Sequence, residues 1–506
     1  MMPPIRWAAL HTTLAHRFAA RVAVVDAGGE ISYAALFAHA AGLGRALLAA
    51  GVRPGEAVAT YLRNGRDAVA AAYGTQFAGA CETPLNISYT AQECADALRL
   101  AGCRQVVCAA QHAGMFAALG CVVHVIERIA PSALEPAAFP AVDAALPGRI
   151  GFTSGTTGLP KAIVCRQSTR FLASMVLQSS LPWLPAAGER VLLMTPFAHG
   201  ASLQSFAWLD QGGEVVLLDG VQLDRVEALL TEGRIAALFA APTVLAKLAA
   251  AFPGRQFAGV RTVFTGTAPL PASIYAAARA MFGPVLRLTY GKTEVFNPIT
   301  VLTPEQTDRY YAEGPPDDGS CCVGWPGPGV ELAIDDSKDG EDGEILIRAT
   351  HMSDGTLIDG EITPWRADGF HATGDVGRID AEGRLHLIAR LSDAMKSGGY
   401  KVYPQEIERL LAPNCVVLGL PSTYWGEIIA VAAENPAPGW EAAARAAVAG
   451  LSPHKRPRFY FAVDALPRNG QGKIVRRQLL ARLQADWRLI DGPRPSLAPA
   501  SHERLT

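Results

Sequence analysis

Charge is what this 506-residue sequence is shortest of. Only 18% of its residues are charged, the formal net charge is −2, and neither sign forms a strong run. That balance offers no electrostatic basis for binding nucleic acid or an anionic membrane surface. No apolar run approaches the ~20 residues of a membrane span, and the opening M-M-P-P-I-R-W-A-A-L lacks the layout of a secretory signal. Nine cysteines are scattered without C-x-x-C spacing, apart from the adjacent pair Cys321 and Cys322, so no zinc framework emerges. An odd, unpatterned count suits a reducing compartment, and the chain reads as cytoplasmic. No internal repeat is visible.

What is present is apolar substance. Half the residues are hydrophobic, and the length exceeds one ordinary domain. Short β-branched runs alternate with alanine-rich stretches from the start: strands are predicted at 22–26, 56–62 and 105–109, and helices at 33–50 and 66–78. Residues 131–148 read as a connector. Strand-length runs then recur at 191–197, 214–219, 237–241, 260–265 and 285–290, separated by helical segments such as 223–233 and 243–252. This is the pattern of an α/β domain of stacked, mostly parallel sheets covered by helices, with ligands at the carboxyl ends of the strands. From about Gly324 the texture changes to short strands and Gly/Asp turns at 343–348, 369–375, 376–380 and 384–389, predicting an antiparallel, barrel-like subdomain. Beyond Leu391 a small α+β segment is predicted: helices at 405–411, 440–450 and 475–484, and strands at 415–420, 428–433 and 459–463. Residues 492–506, with prolines at 493, 495 and 499, read as a disordered tail.

The densest chemistry lies at residues 153–162, T-S-G-T-T-G-L-P-K-A, directly after Ile150, Gly151 and Phe152. Hydroxyls (Thr153, Ser154, Thr156, Thr157) and unshielded backbone N–H groups donate to phosphate oxygens. Gly155 and Gly158 let the backbone approach closely, and Lys161 adds a mobile charge. The G-K-[ST] ending of a Walker A loop is missing. On composition alone this would be a surface loop. Each of the later strings is also ordinary in isolation. P-F-A-H-G-A-S (196–202) holds a His of the kind usually satisfied in a core. T-G-T-A-P-L-P (265–271) is a glycine turn before a proline-started helix, Y-G-K-T-E (290–294) a helix start, and T-G-D (373–375) a turn. A hydroxyl beside a carboxylate, as in Thr293–Glu294, is nevertheless what a phosphate-bound Mg²⁺ requires.

Taken together and in this order, the strings resemble the adenylate-forming superfamily of acyl- and aryl-CoA ligases, luciferases and peptide-synthetase adenylation domains. The likeness covers nearly the whole chain. It implies a large N-terminal domain over 1–390, a hinge at 391–392, and a small mobile C-terminal domain over 393–491. By resemblance, residues 153–158 with Lys161 hold ATP phosphates. Gly266, Thr267 and Ala268 support the adenine, with Tyr290 and Gly291 beside the nucleotide. Thr293 contacts the α-phosphate, Glu294 holds the metal, Asp375 takes the ribose hydroxyls, and Arg390 touches ribose or phosphate. His199 borders the carboxylate pocket. Phe197, Gly200, Phe239, Thr267, Phe296, Asn297 and Ile299 match pocket-lining segments. Ser397, Gly398, Gly399 and Tyr400 match the loop facing the pantetheine channel. In P-R-N-G-Q-G-K-I-V-R (467–476), Lys473 matches the lysine that bridges substrate carboxylate and α-phosphate.

Three departures from the family pattern matter. Gly200 stands where amino-acid-activating relatives commonly carry Asp, which argues against an amino-acid substrate. Ala389 replaces the Gly before Arg390, and Ser392 replaces the usual hinge Asp or Lys. No Arg or Lys other than Lys292 occurs in the lining segments, so the expectation is an apolar aromatic or medium-chain monocarboxylate. The implied reaction is ATP-dependent ligation through acyl-AMP, with ATP, Mg²⁺ and coenzyme A, by a monomer or homodimer. Two rivals stand beside it: an adenylating enzyme that loads an acyl carrier protein, and a nucleotide-binding protein without ligase activity.

Overall fold

The computed structural model describes residues 2–154, 160–266, 268–296, 298–315, 320–335, 342–358, 360–468 and 474–500. Gly155, Thr156, Thr157, Gly158, Thr267, Asn297 and Lys473 therefore lie outside the described residues. Among those described, the chain forms a large mixed α/β domain and a smaller C-terminal α+β domain.

The alternation read from the sequence becomes a sheet whose parallel portion runs Val22–Asp26, Glu214–Leu217, Arg190–Leu193, Ile235–Phe239, Thr262–Thr265 and Leu286–Tyr290. These strands are buried along nearly their whole length, as parallel strands covered on both faces must be. A second, eight-stranded sheet carries Cys81–Pro84 beside Pro147–Ser154, which pairs antiparallel with Pro160–Arg166. The phosphate-loop string thus occupies the connection of a hairpin. The alanine-rich helices Tyr33–Ala49 and Arg66–Phe77 pack closely because Gly74 lies against the Ala40 carbonyl, where a Cβ would come to 2.8 Å.

No sheet among the described residues closes into the barrel-like subdomain expected from the sequence. Thr300–Leu302 pairs antiparallel with Leu286–Tyr290, and Cys321–Pro326, Leu385–Arg390, His371–Ile379, Gly343–Ala349 and Val330–Asp335 follow in order. They extend the parallel sheet into one open 13-stranded sheet. Gly355–Ile358 and Glu361–Thr363 instead join the other sheet through Pro160–Arg166. Gly/Asp turns report hairpins; closure depends on which edges meet, and here the first hairpin continues an existing edge.

The strands expected at 369–375 and 376–380 are one strand, His371–Ile379. Gly374, at φ 69°, sits in a bulge: Glu344 pairs with Val376 whereas Leu346 pairs with Ala372. Within the tail expected to be disordered, Ser496–Pro499 instead pairs antiparallel with Trp487–Ile490, while residues 501–506 lie outside the described residues. The turn between them is held by Asp491, which accepts from the Ser422 hydroxyl at 2.6 Å and the Thr423 N–H at 2.6 Å. Proline is tolerated at the ends of such an isolated ribbon. No described helix is long and apolar enough to cross a membrane.

Candidate active site

The ends of the parallel strands bring the sequence strings together. Gly266 leaves Thr262–Thr265 so close to the next strand that a Cβ would lie 1.7 Å from the Thr289 carbonyl oxygen, so only glycine fits. Thr293 in turn packs toward the strand leading into the phosphate loop, since a Cβ on Gly151 would lie 3.1 Å from its methyl. Glu294 is fixed through its carbonyl, which accepts from the Ser353 N–H at 2.9 Å and the Ser353 hydroxyl at 2.7 Å.

The bulge at Gly374 turns Asp375 inward, where it is 7% exposed. Its Oδ1 lies 2.7 Å from Arg390 Nε. Its Oδ2 accepts from the Tyr290 hydroxyl and from Lys292 Nζ at 3.3 Å. Lys292 also donates to the Thr373 carbonyl, and the Asp375 N–H donates to the Thr373 hydroxyl at 3.0 Å. Burial first, and then the Asp375 charge, push the Tyr290 hydroxyl well above its ordinary pKa, keeping it a donor. Lys292 stands at the variable position of its string, so sequence reasoning gave it no such role. His371 was also missed, although it lies on the same strand as Thr373 and Asp375 and is buried with them. Burial pushes its imidazole down to about 4, against the pull of Glu294; Lys292, Asp375 and Lys161 also act on it. One neutral imidazole thus sits among the phosphate-loop lysine, the expected metal ligand and the expected ribose ligand.

On the acyl side, residues 197–201 form a single wide turn broken at His199 (φ −117°, ψ −137°). His199 Nε2 lies 3.4 Å from Asn86 Nδ2, and its carbonyl accepts from the Ser202 hydroxyl at 2.8 Å. Phe197 and Phe239 are buried in one apolar cluster, and a Cβ on Gly200 would only touch the Phe239 ring at 3.7 Å. Phe296 packs separately with Cys165, Ala173 and Leu203, while Ile299 is buried in the core of the antiparallel strands with Val295 and Ile347. The expected lining residues therefore divide among three clusters. Behind His199, Arg149 Nη2 donates to Ser202 Oγ at 2.8 Å and Nη1 to the buried Glu82 at 3.1 Å, and Arg170 Nη2 donates to Glu82 at 2.7 Å. Neither arginine belongs to a segment the sequence pointed to as lining.

In the small domain, Ser397, Gly398, Gly399 and Tyr400 make the tight turn of the hairpin Met395–Ser397/Tyr400–Val402. Gly398 and Gly399 take φ of 59° and 86°, as a two-residue hairpin turn demands. Ser397 is buried, while Tyr400 is exposed and stacks on His454 at 4.1 Å. Leu391–Asp393 is a single 3₁₀ turn in which the Ser392 hydroxyl donates to Asp393 at 3.3 Å.

Donors and acceptors from Tyr290, Lys292, Asp375 and Arg390 are thus gathered at strand ends, and the comparisons with known proteins define the class. The chain belongs to the AMP-binding enzyme family, whose model matches residues 12–357. It is 32% identical over 481 residues to 3-[(3aS,4S,7aS)-7a-methyl-1,5-dioxo-octahydro-1H-inden-4-yl]propanoyl:CoA ligase of Mycobacterium tuberculosis, covering 87% of this chain and 91% of that protein. It is 29% identical to feruloyl-CoA synthase of Amycolatopsis sp, covering 91% and 95%. The ATP-bound structure of MatB from Rhodopseudomonas palustris superposes with a TM-score of 0.82 at 26% identity, covering 96% of this chain and 99% of that one. The protein is an ATP-dependent, adenylate-forming acid–thiol ligase, which makes an acyl-AMP intermediate and then a thioester.

Proposed function

We propose that this ligase activates a bulky carboxylic acid with an apolar body and transfers the acyl group to coenzyme A. The observation that carries this reading is the Asp375 cluster beside Glu294 and Thr293, with buried Phe197 and Phe239 next to His199. A carboxylate is a poor electrophile, so it first attacks the ATP α-phosphate, forming acyl-AMP and releasing pyrophosphate. Asp375 takes the ribose hydroxyls on the accepting capacity its three donors leave, and Arg390 and Lys292 hold the carboxylate in place. Glu294 and Thr293 offer the hard oxygen donors that suit Mg²⁺. A cation there would be held largely through the nucleotide phosphates. When bound, Mg²⁺ supplies charge neutralisation at those phosphates.

Lys473 serves the adenylation step and leaves when the small domain, 393–491, turns about residues 391–392 to admit the thiol. Free cysteines at all nine positions support a reducing, cytoplasmic setting. The relatives named above act on an indane-dione propanoate and on ferulate, both bulky acids, which supports the choice of acid class. A relative of 27% identity, ScoC of Streptomyces coeruleorubidus, is a fatty acid–[acyl-carrier-protein] ligase, which makes a carrier-protein thiol the second reading for the acceptor. The test is Lys473→Ala in separated half-reactions with CoA and with a phosphopantetheinylated carrier protein. Acyl-AMP formation should fall sharply while synthetic acyl-AMP is still turned over with CoA. Equal loss in both half-reactions would remove the assigned role, and turnover with the carrier protein alone would change the acceptor.

A further inference from the structure

Glu82, Arg149 and Arg170 are 1%, 6% and 4% exposed. Both guanidiniums share the one carboxylate, and each also donates to a neutral oxygen: Ser202 Oγ for Arg149 and the Gly148 carbonyl, at 3.2 Å, for Arg170. The group thus carries a formal charge of +1 in an almost waterless place. Among the described residues neither arginine forms a second ion pair. Of the other acids nearby, Asp210 is engaged by Tyr73 at 2.8 Å, Gln178 at 3.0 Å and His11 at 3.5 Å, and Asp354 by the Arg166 N–H at 2.8 Å and the Thr169 hydroxyl at 3.0 Å. Burying a cation is costly, and a well-packed apolar group would usually serve stability better. Beyond Glu82, the described residues offset this excess with the Phe206 ring, 5.7 Å from the Arg170 guanidinium, so a further acceptor would be favourable there.

The place for that acceptor is a small cavity that the two guanidiniums share with Ala173, Leu203, Phe206 and Phe296. Its volume, about 10 Å³, has room for a single water-sized oxygen. It adjoins the acyl side of the site. Ser202 links Arg149 to the His199 carbonyl, and Phe296 follows Glu294 by two residues. Arg149 lies on the strand that runs into the phosphate loop, so one rigid element spaces the cavity from the reacting phosphate.

We infer that Arg149 and Arg170 bind a hydrogen-bond-accepting oxygen at the far end of the acyl group, so that the preferred acid has an apolar body ending in a ketone or a carboxylate. This rests on the ligase reading above and deepens it. Shape selects one protruding oxygen, and the excess charge selects an acceptor over a methyl group, because a methyl would leave the guanidinium donors unpaired.

The experiment compares kcat/KM for pyrophosphate release in two matched series. One is 3-(4-ethylphenyl)-, 3-(4-acetylphenyl)- and 3-(4-carboxyphenyl)propanoate; the other is nonanoate, 8-oxononanoate and nonanedioate. The wild type should favour an oxygen-terminated acid over its methyl-terminated match by about tenfold or more, and the ketone and carboxylate arms identify which oxygen it takes. Arg170→Met should collapse that ratio toward one. Ala173→Leu, which fills the cavity and keeps all three ions, should do the same and carries the test should Arg170→Met fail to fold. A purely structural ion triad would slow all acids alike and leave the ratio standing. Preference for the methyl-terminated acids, or a ratio that survives Ala173→Leu, overturns the inference while leaving the ligase reading intact. Absence of pyrophosphate release with every acid would instead strike the ligase reading, and the inference would fall with it.

Discussion

Arg390 Nε lies 2.7 Å from Asp375 Oδ1, and the two residues are register partners on neighbouring antiparallel strands. The carboxylate proposed for the ribose is thereby joined to the residue one position before the 3₁₀ turn at Leu391–Asp393. Asp375→Asn keeps the shape but removes the charge that Arg390 and Lys292 face. Hydrogen bonds to a charged group contribute about 1.5–3 kcal/mol, so KM for ATP should rise about 10- to 100-fold. Titration of ATP in the pyrophosphate-exchange reaction checks this, and an unchanged KM would remove Asp375 from nucleotide binding.

How far the sequence went depends on the kind of information each feature needs. The parallel strands were legible because burial on both faces leaves continuous apolar runs such as Arg190–Leu193 and Ile235–Phe239. The T-G-D string was legible as chemistry but not as geometry: a glycine at positive φ reads as a turn, and only the pairing with Gly343–Ala349 makes it a bulge. Closure of the antiparallel strands into a barrel could not be decided, because it depends on edge pairing far apart in the chain. Lys292 and His371 became visible only when distant strands set them around Asp375 and Glu294. Arg149 and Arg170 flank the phosphate loop in sequence, yet their common partner Glu82 is 67 residues before Arg149.

Gly266→Ala should be among the most damaging single methyl additions in the chain. The added Cβ would fall 1.7 Å from the Thr289 carbonyl oxygen, a backbone atom that cannot move without displacing the strand Leu286–Tyr290. A loss of about 3 kcal/mol or more is expected. Urea unfolding measures it; Gly200→Ala, whose Cβ meets only the Phe239 ring at 3.7 Å, should be mild by comparison.

Asp380 gives the fold a dependence on acid. Burial tends to raise its pKa, but the Arg384 N–H and side chain and the His386 ring outweigh that and hold it at about 2. His386 Nε2 lies 2.8 Å and Arg384 Nε 2.7 Å from its Oδ2. A carboxyl depressed on folding contributes stability above its ordinary pKa, and that stability is lost as pH falls toward the folded value. Between pH 4 and pH 2 the protein should therefore lose about 2 kcal/mol through this residue. Asp380→Asn should be less stable at neutral pH and show a shallower fall over that window. Denaturant midpoints at pH 7 and across the acid range decide it; parallel curves for the two proteins would assign the acid dependence elsewhere.

Ser392 lies between two anchors. On one side Arg390 is paired with Asp375 of the large domain. On the other, Asp393 accepts from Arg476 Nη1 at 3.0 Å, and Arg476 Nη2 reaches Glu408 at 2.6 Å, both in the small domain. In the proposed rotation of the small domain, residues 391 and 392 are the positions between these anchors. A hinge of this kind requires one or two residues able to change φ and ψ widely. Serine allows that, whereas proline fixes φ near −65° and restricts the residue before it. Ser392→Pro should therefore separate the half-reactions, largely sparing acyl-AMP formation and slowing thioester formation from synthetic acyl-AMP by about tenfold or more. Ser392→Asp, which restores the commoner hinge residue, should alter neither by much. Single-turnover kinetics of each half-reaction provide the measurement. Thioester formation at the wild-type rate in Ser392→Pro would place the pivot outside this residue, with Leu391 the remaining position between the anchors.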